Sequence, residues 1–224
     1  MNKCKDCTEK SIASKCLNKR EFEILETNSV EVNFKKGDVI FKQEALTLNV
    51  AYLKKGLVKL HIKGHNRDKI LRIVKAPSYL GIPTTFGDRI NHFSATALEE
   101  TSVCFIDAVH FKNFILSNGR FAYEIIVDIC KNELTDYQRY LSHDYKQVPG
   151  RLAETILCLS DKIFENPTFN IPLNRSEIGD LIGTTRESVS RVLNEFNNEK
   201  IIEINASEIK IVNRKLLEDI SEKG

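Results

Sequence analysis

The spacing of apolar residues changes character along this chain of 224 residues. Between Val30 and Ile106, short runs alternate between apolar and polar positions, as in Val58, Leu60 and Ile62, and glycines separate the runs. A period of two is that of a half-buried strand, and many short strands divided by turn signals are typical of an antiparallel roll or barrel. The sequence therefore predicts an N-terminal antiparallel β-roll.

A longer, helical period follows the strands. From Phe121 to about Tyr145, apolar residues recur at a rough heptad spacing, and Pro149 with Gly150 then interrupts the pattern. This pattern predicts one long helix, which is either a core helix or the interface of a dimer, with a hinge after it. Asp136 falls near the apolar seam, where like charges would weaken a dimer, although a surface position for Asp136 fits equally well.

Two short amphipathic segments come next. Ile178, Leu181 and Ile182 lie at positions i, i+3 and i+4, so they form one apolar face of a helix. Asn174 and Glu177 have the spacing of an N-cap and its reciprocal partner, which indicates where this helix begins. We expect a left-handed glycine, residue 183, to end it.

A second helix is predicted to begin directly after the first. Thr184 and Glu187 have the spacing of another capping box. The predicted buried stripe of this helix consists of Val189, Val192, Leu193 and Phe196. Apolar alternation in residues 201–204 and 209–212 around a polar tripeptide predicts a β-hairpin, or wing. Together these elements predict a winged helix-turn-helix.

The predicted fold class is therefore α+β. An N-terminal antiparallel β-roll with a cysteine-bearing N-terminal segment is expected in residues 1–118, a long helix in residues 119–147, and a winged helix-turn-helix in residues 148–224.

The polar face of the second short helix has the chemistry of a DNA major-groove reader. The candidate DNA-binding residues are Arg186, Glu187, Ser190, Arg191 and Asn194, with Thr184 and Thr185 just before them. Arginine presents a forked pair of donors that matches guanine O6 and N7, and glutamate accepts a hydrogen bond from cytosine N4. Hydroxyl groups at the helix start suit phosphate or base contacts. These residues predict sequence-specific binding to double-stranded DNA.

Bulk charge adds little to this prediction. From Pro149 onward there are ten Lys and Arg against 13 Asp and Glu, so the predicted DNA-binding domain is not basic overall. We therefore expect modest non-specific affinity for DNA. The chain has no run of about 18 apolar residues and no signal-like start, so a cytoplasmic protein without a membrane partner is expected.

Several stretches in the right order resemble the CRP/FNR family of bacterial transcription regulators. The stretches are residues 34–42, 55–60, 97–104 and the Arg-Glu-x-x-x-Arg motif of residues 186–191, in which Ser190 is similar to the FNR-type branch. The resemblance covers nearly the whole chain. It implies a homodimer joined by the long helix, a palindromic DNA site, RNA polymerase as a partner, and a β-roll that senses an effector or a redox signal.

The family's cyclic-nucleotide-binding branch holds the ribose with a Gly-Glu pair and the cyclic phosphate with an Arg-Ser segment. Here Gly81 is followed by Ile82, and Phe93 stands in the arginine's place before Ser94. A phosphate in a pocket needs a fixed cation or several donors. These four positions are the candidate effector pocket, but the effector is unknown and cyclic AMP binding is disfavoured.

The FNR branch carries an oxygen-labile [4Fe–4S] cluster on three N-terminal cysteines and one cysteine of a late strand. The matching candidate metal ligands here are Cys4, Cys7, Cys16 and Cys104. Four thiolates satisfy such a cluster, but eight residues separate Cys7 from Cys16, rather than the five of the family. Zinc, a thiol switch and inert cysteines are the alternatives.

Catalysis is not expected. The sequence has no glycine-rich phosphate loop and no nucleophile elbow, and its five histidines lack metal-ligand spacing. Two non-enzymatic alternatives remain open beside a signal-responsive regulator. One is a regulatory subunit or metabolite-binding module of the cyclic-nucleotide type without a DNA role, and the other is a constitutive DNA binder.

Overall fold

The period-two segments form the strands of a β-roll in the computed structural model, which describes residues 10–64 and 67–224. The strands of the roll are β1 (Ser29–Phe34), β2 (Val39–Phe41), β3 (Asn49–Lys55), β4 (Leu57–Ile62), β5 (Lys69–Lys75), β6 (Ser78–Leu80), β7 (Ser94–Ala97) and β8 (Thr101–Asp107). They make two four-stranded sheets, in the orders β1-β8-β3-β6 and β2-β7-β4-β5. The predicted antiparallel roll is confirmed.

The helices of this part of the chain lie before, between and after the strands. They are α1 (Ile12–Lys15), α2 (Lys19–Thr27), α3 (Ile82–Gly87), α4 (Ala108–Ser117) and the long α5 (Gly119–Tyr145). One apolar cluster fills the space between the sheets and includes Leu53, Val58 and Val103. A second cluster joins sheet residues to helices α4 and α5 through Phe111 and Phe121.

Helix α5 is one continuous helix, as predicted, but it has two apolar faces. Ile125 is only 3% exposed and belongs to the second cluster, so it does not lie on an exposed seam as the heptad pattern allowed. Another set of large side chains on the same helix remains exposed: Tyr123, Ile126, Leu134, Tyr137, Tyr140, Leu141 and Tyr145. Asp136 is half-buried.

The C-terminal elements form a winged helix-turn-helix. They are α6 (Val148–Cys158) with a π-helical continuation (Leu159–Phe164), β9 (Thr168–Asn170), α7 (Arg175–Ile182), α8 (Arg186–Asn198), β10 (Ile202–Asn205), β11 (Glu208–Ile211) and α9 (Arg214–Lys223). The predicted hairpin of residues 201–212 is the antiparallel pair β10 and β11, to which β9 adds a third strand. The α+β fold class is confirmed.

Pro149 lies in the first turn of α6, where its missing N–H leaves no hydrogen bond unmade. The helical pattern is therefore broken just before it, at residues 146–147. Helices α6, α7 and α8 pack around a core whose members Ile156, Val192 and Leu193 have no exposed surface.

Contacts between residues divide the chain into two units. The first holds the described residues up to Gly64 together with residues 71–134, and the second holds residues 67–70 and 135–224. The short segment before and at the start of β5 thus belongs with the helix-turn-helix by its contacts. Within residues 10–64 and 67–224, no helix combines the length and apolar character needed to cross a membrane.

Candidate nucleic-acid interface

Helix α7 begins and ends as the sequence predicts. The side chain of Asn174 accepts a hydrogen bond from the backbone N–H of Glu177 at 3.0 Å, and the Glu177 carboxylate accepts one from the N–H of Asn174 at 2.9 Å. Gly183 follows the helix at φ +69°, in the left-handed region. Both ends of the first helix are thereby held in place, which fixes the direction in which the chain leaves it.

The start of α8 corrects one sequence prediction. The N-cap is Thr185, whose hydroxyl accepts a hydrogen bond from the N–H of Ser188 at 3.2 Å, and it is not Thr184. Thr184 cannot yet be a cap because its N–H donates to the carbonyl of Gly179 at 2.9 Å and so still closes the end of α7. Glu187 consequently lies one position earlier in the helix than a capping box requires.

Helix α8 separates its apolar and polar residues as predicted. Its buried side chains are Val189, Val192, Leu193 and Phe196. Arg186, Glu187, Arg191 and Asn194 are exposed, while Ser190 is half-buried and its hydroxyl donates to the carbonyl of Arg186 at 2.9 Å. The helix therefore presents two guanidinium groups and a carboxylate outward within two turns.

Charge at the start of α8 is arranged to keep the carboxylate ionised. Hydrogen bonds from its own backbone N–H and from the Thr185 hydroxyl lower the pKa of Glu187, and the charge of Arg186 lowers it further. An anionic side chain in the first turn also interacts favourably with the helix dipole. Glu187 is thus held as an acceptor at neutral pH.

The second arginine is oriented by its own helix. One Nη of Arg191 donates to the carboxylate of Glu195 at 2.9 Å, one turn further on, and both side chains are about half exposed or more. An exposed pair of this kind adds only about 0.3–0.5 kcal/mol to stability. Its effect is to restrict where the guanidinium points.

One basic residue at this surface was absent from the residues predicted from the sequence. Arg67 donates to the carbonyl of Thr184 at 2.8 Å, and 117 positions separate the two residues. No local pattern in the sequence could have revealed that contact.

The candidate effector residues all lie in or beside the strands of the roll. Gly81 lines a cavity of about 120 Å³ in the roll. Ile82 instead packs into the helix-side apolar cluster, the Phe93 ring lies 5.8 Å from that of Phe41, and the Ser94 hydroxyl accepts from the N–H of Gln43. Phe41 thus lies beside both Gly81 and Phe93, and the effector pocket formed by the four residues stays a prediction.

The cavity's lining is uncharged. Its described residues are Phe41, Leu46, Thr47, Leu48, Asn49, Ala51, Leu80, Gly81, Thr85, Asn91 and Phe105. Such a lining offers hydrogen-bond partners but no fixed cation for a phosphate group.

Of the four candidate metal ligands, Cys4 and Cys7 lie outside the described residues. Cys16 closes helix α1, with its thiol donating to the carbonyl of Ile12, and Cys104 is on strand β8. Both are half-buried and pack against the same apolar cluster. Among residues 10–64 and 67–224, no three His, Cys, Asp or Glu side chains are grouped as for a metal ion. Two thiols alone do not make a cluster site, so the ligand set stays a prediction.

Comparison with known protein families agrees with the architecture. The profile of the cyclic nucleotide-binding domain matches residues 31–118, and that of the Crp-like helix-turn-helix domain matches residues 150–220. The two matches cover the roll and the winged helix-turn-helix, respectively.

Relatives with regulator names match over almost the whole chain. The transcriptional activator protein FnrA of Stutzerimonas stutzeri is 24% identical over 218 residues, covering 93% of this chain and 88% of FnrA. The probable transcriptional regulator flp of Lacticaseibacillus casei is 25% identical over 219 residues, covering 96% and 98% of the two chains. These relatives are regulators and not enzymes.

The fold is shared with solved structures. FixK2 from Bradyrhizobium japonicum superposes with a TM-score of 0.78 at 19% identity, covering 86% of this chain and 96% of FixK2. A putative CRP/FNR regulator from Eubacterium rectale superposes equally well at 17% identity, covering 95% and 98% of the two chains. With both domains, their order and the helix-turn-helix all matched, this chain is a DNA-binding transcription regulator of the CRP/FNR family.

Proposed function

We propose that the protein regulates transcription as a homodimer that binds an inverted repeat in double-stranded DNA. The observation that carries the proposal is the exposed polar face of α8, with Arg186, Glu187 and Arg191 outward and the apolar stripe buried. A helix in the major groove reads bases with residues near its N-terminus. Here two arginines suited to guanine and a carboxylate suited to cytosine occupy that stretch.

The other members of the proposed DNA surface have lesser roles. Asn194 is exposed further along α8, and Ser190 lies between the two arginines with its hydroxyl turned back to the helix. Thr185 is engaged as the N-cap, and Thr184 precedes it. We assign these four residues to phosphate contacts or to helix geometry, since hydroxyl and amide groups at a helix start commonly hold DNA in register.

Dimer formation is supported by the exposed apolar face of α5. Ile126, Leu134, Tyr137 and Leu141 lie three to eight residues apart along one helix and are each more than half exposed. Exposed apolar stripes of this length are uncommon on monomeric proteins. Heptad-like spacing suits packing against the same helix of a second copy, and two copies would present two reading helices to a palindrome.

Selection from a random-sequence DNA library, followed by gel-shift titration of the full chain, tests the proposal. We expect an inverted repeat to be enriched. Arg186→Ala should weaken binding to it by about 5- to 150-fold, which corresponds to about 1–3 kcal/mol for one bidentate base contact. Lys223→Ala, which removes an exposed charge from the end of α9, is the matched control and should bind normally.

Two results would contradict the proposal. One is the failure of any inverted repeat to be enriched, and the other is unchanged binding by Arg186→Ala. Sedimentation of wild-type protein and of Tyr137→Glu tests the dimer separately. The wild type should sediment as a dimer, and a charge placed on the exposed stripe should shift the variant to a monomer.

The proposal also covers the signal and the other partners of the protein. RNA polymerase is the expected protein partner, the cytoplasm the expected location, and the roll the expected sensor. The [4Fe–4S] alternative at Cys16 and Cys104 is tested by iron and sulfide analysis of anaerobically purified protein. Iron and sulfide at background level would remove that alternative.

A further inference from the structure

Five basic side chains meet where the helix-turn-helix makes its turn. We call Arg67, Lys69, Arg139, His143 and Arg151 the turn cluster; all five belong to the second unit. They come from three places in the sequence: the segment that leads into β5, the last two turns of α5 and the first turn of α6. Positive charges this close together repel one another, so their grouping calls for a physical reason.

Two of the five touch the turn at its glycine. A Cβ placed on Gly183 would lie 3.3 Å from the ring of His143 and 3.6 Å from the ammonium of Lys69. The guanidinium of Arg67 donates to the carbonyl of Thr184, which is the next residue of the turn. The cluster thus lies directly against the two residues that precede the N-cap of α8.

The hydrogen bonds of Arg151 use only part of the donor capacity of its guanidinium. Arg151 donates to the carbonyls of His143 and Lys146 at the end of α5, at 3.2 and 2.9 Å. Cations near helix C-termini are stabilised by the helix dipole. The Arg151 Nε, however, is buried without a hydrogen-bond partner within the described residues, so the hydrogen-bonding capacity of the cluster is not exhausted.

The cations of the cluster repel one another. Burial lowers the pKa of Lys69, and so do the charges of Arg139, Arg67 and Arg151. Burial likewise lowers the pKa of His143, followed by Lys69, Arg139 and Arg151. An anion bound here would relieve that repulsion.

The turn cluster lies beside the N-terminus of the reading helix α8, and this position indicates which anion it would bind. The N-terminus of α8 carries partial positive charge, and Arg67 adds a full charge one residue before its N-cap. A reading helix enters the major groove N-terminus first, and phosphates line both edges of that groove, which is only about 12 Å wide. Residues just before the helix therefore face the sugar-phosphate backbone.

We propose that Arg67 and Lys69 bind a backbone phosphate of the DNA at the edge of the groove that α8 enters. The proposal rests on the proposed function and adds to it a contact from outside the helix-turn-helix sequence. The charges of Arg139 and Arg151, which act on Lys69, add to the positive potential there. Because a phosphate carries no sequence information, this contact adds affinity and orientation but no base preference.

Fluorescence anisotropy with full-length Arg67→Gln and Lys69→Gln tests the contact, on the selected duplex and on a scrambled one. Each phosphate contact contributes about 0.9 to the slope of log affinity against log salt. We therefore expect each variant to lose affinity equally for both duplexes, and its deficit to shrink by about 3.5-fold between roughly 50 and 200 mM salt. Lys75→Gln, at the other end of β5, is the matched control and should keep the wild-type slope.

Three outcomes would overturn the contact. Unchanged affinity and slope would remove any role of these residues in DNA binding. A loss confined to the selected duplex would indicate a base contact. Tighter DNA binding by either variant would show that the side chains of residues 67–69 hinder the access of α8 to DNA. If wild-type protein selects no duplex at all, the proposed function itself fails, which distinguishes the two ideas.

Discussion

Replacing Gly183 by alanine tests how the turn of the helix-turn-helix is built. The residue adopts φ +69° and ψ +45°, which costs a residue with a Cβ about 1–2 kcal/mol. The added Cβ would also lie 3.3 Å from the His143 ring, closer than ordinary van der Waals contact, and 3.6 Å from the flexible end of Lys69. The imidazole is held by a hydrogen bond with the backbone of Leu181 and so cannot yield freely. We expect a total loss of about 2 kcal/mol.

Urea unfolding followed by far-ultraviolet circular dichroism measures this loss. Gly87→Ala is the matched control, because that residue ends helix α3, has no positive φ, and has no atom within 4 Å of an added Cβ. It should be neutral or stabilising by up to about 1 kcal/mol, since glycine is a poor helix residue. The reasoning would be refuted if Gly183→Ala unfolded at the wild-type urea concentration, or if the two variants lost the same stability.

Two further predictions concern the same domain. Because burial and nearby cations lower the pKa of His143, the unfolded state binds more protons below pH 6.5; stability should be complete above that value and fall as pH drops towards the folded pKa. Urea midpoints at about pH 7.5 and 5.5 should therefore differ more in the wild type than in His143→Gln, and equal differences would count against this explanation. Asn174→Ala removes the cap of α7 and should cost about 1 kcal/mol in the same assay, whereas Asn198→Ala, at the exposed end of α8, should cost less. An unaffected Asn174→Ala would show that the cap hydrogen bonds add nothing measurable.

Local patterns in the sequence were sufficient to predict the roll, the ends of α7 and which face of α8 is exposed. Alternation with a period of two predicted the roll, and the spacing of Asn174, Glu177 and Gly183 placed both ends of α7. The outward position of Arg186 and Arg191 followed from the apolar stripe of the same helix, because a helix of 3.6 residues per turn must expose what lies opposite its buried side. These features depend on neighbours within a few residues.

Other features depended on contacts that periodicity cannot specify. Helix α5 is apolar on two faces, so the heptad pattern could not decide that Ile125 is buried while Ile126 stays exposed. The cap of α8 moved from Thr184 to Thr185 because the Thr184 N–H is taken by Gly179.

The sequence by itself thus determined the roll, the long helix, the winged helix-turn-helix and the chemistry of the reading helix, since these follow from short-range spacing. Only the tertiary structure decided that Arg67 meets Thr184 across 117 positions, and that Cys16 and Cys104 pack against the same apolar cluster. The reason is that long-range contacts are set by how packed elements bring distant side chains together, and that information is spread over the whole core.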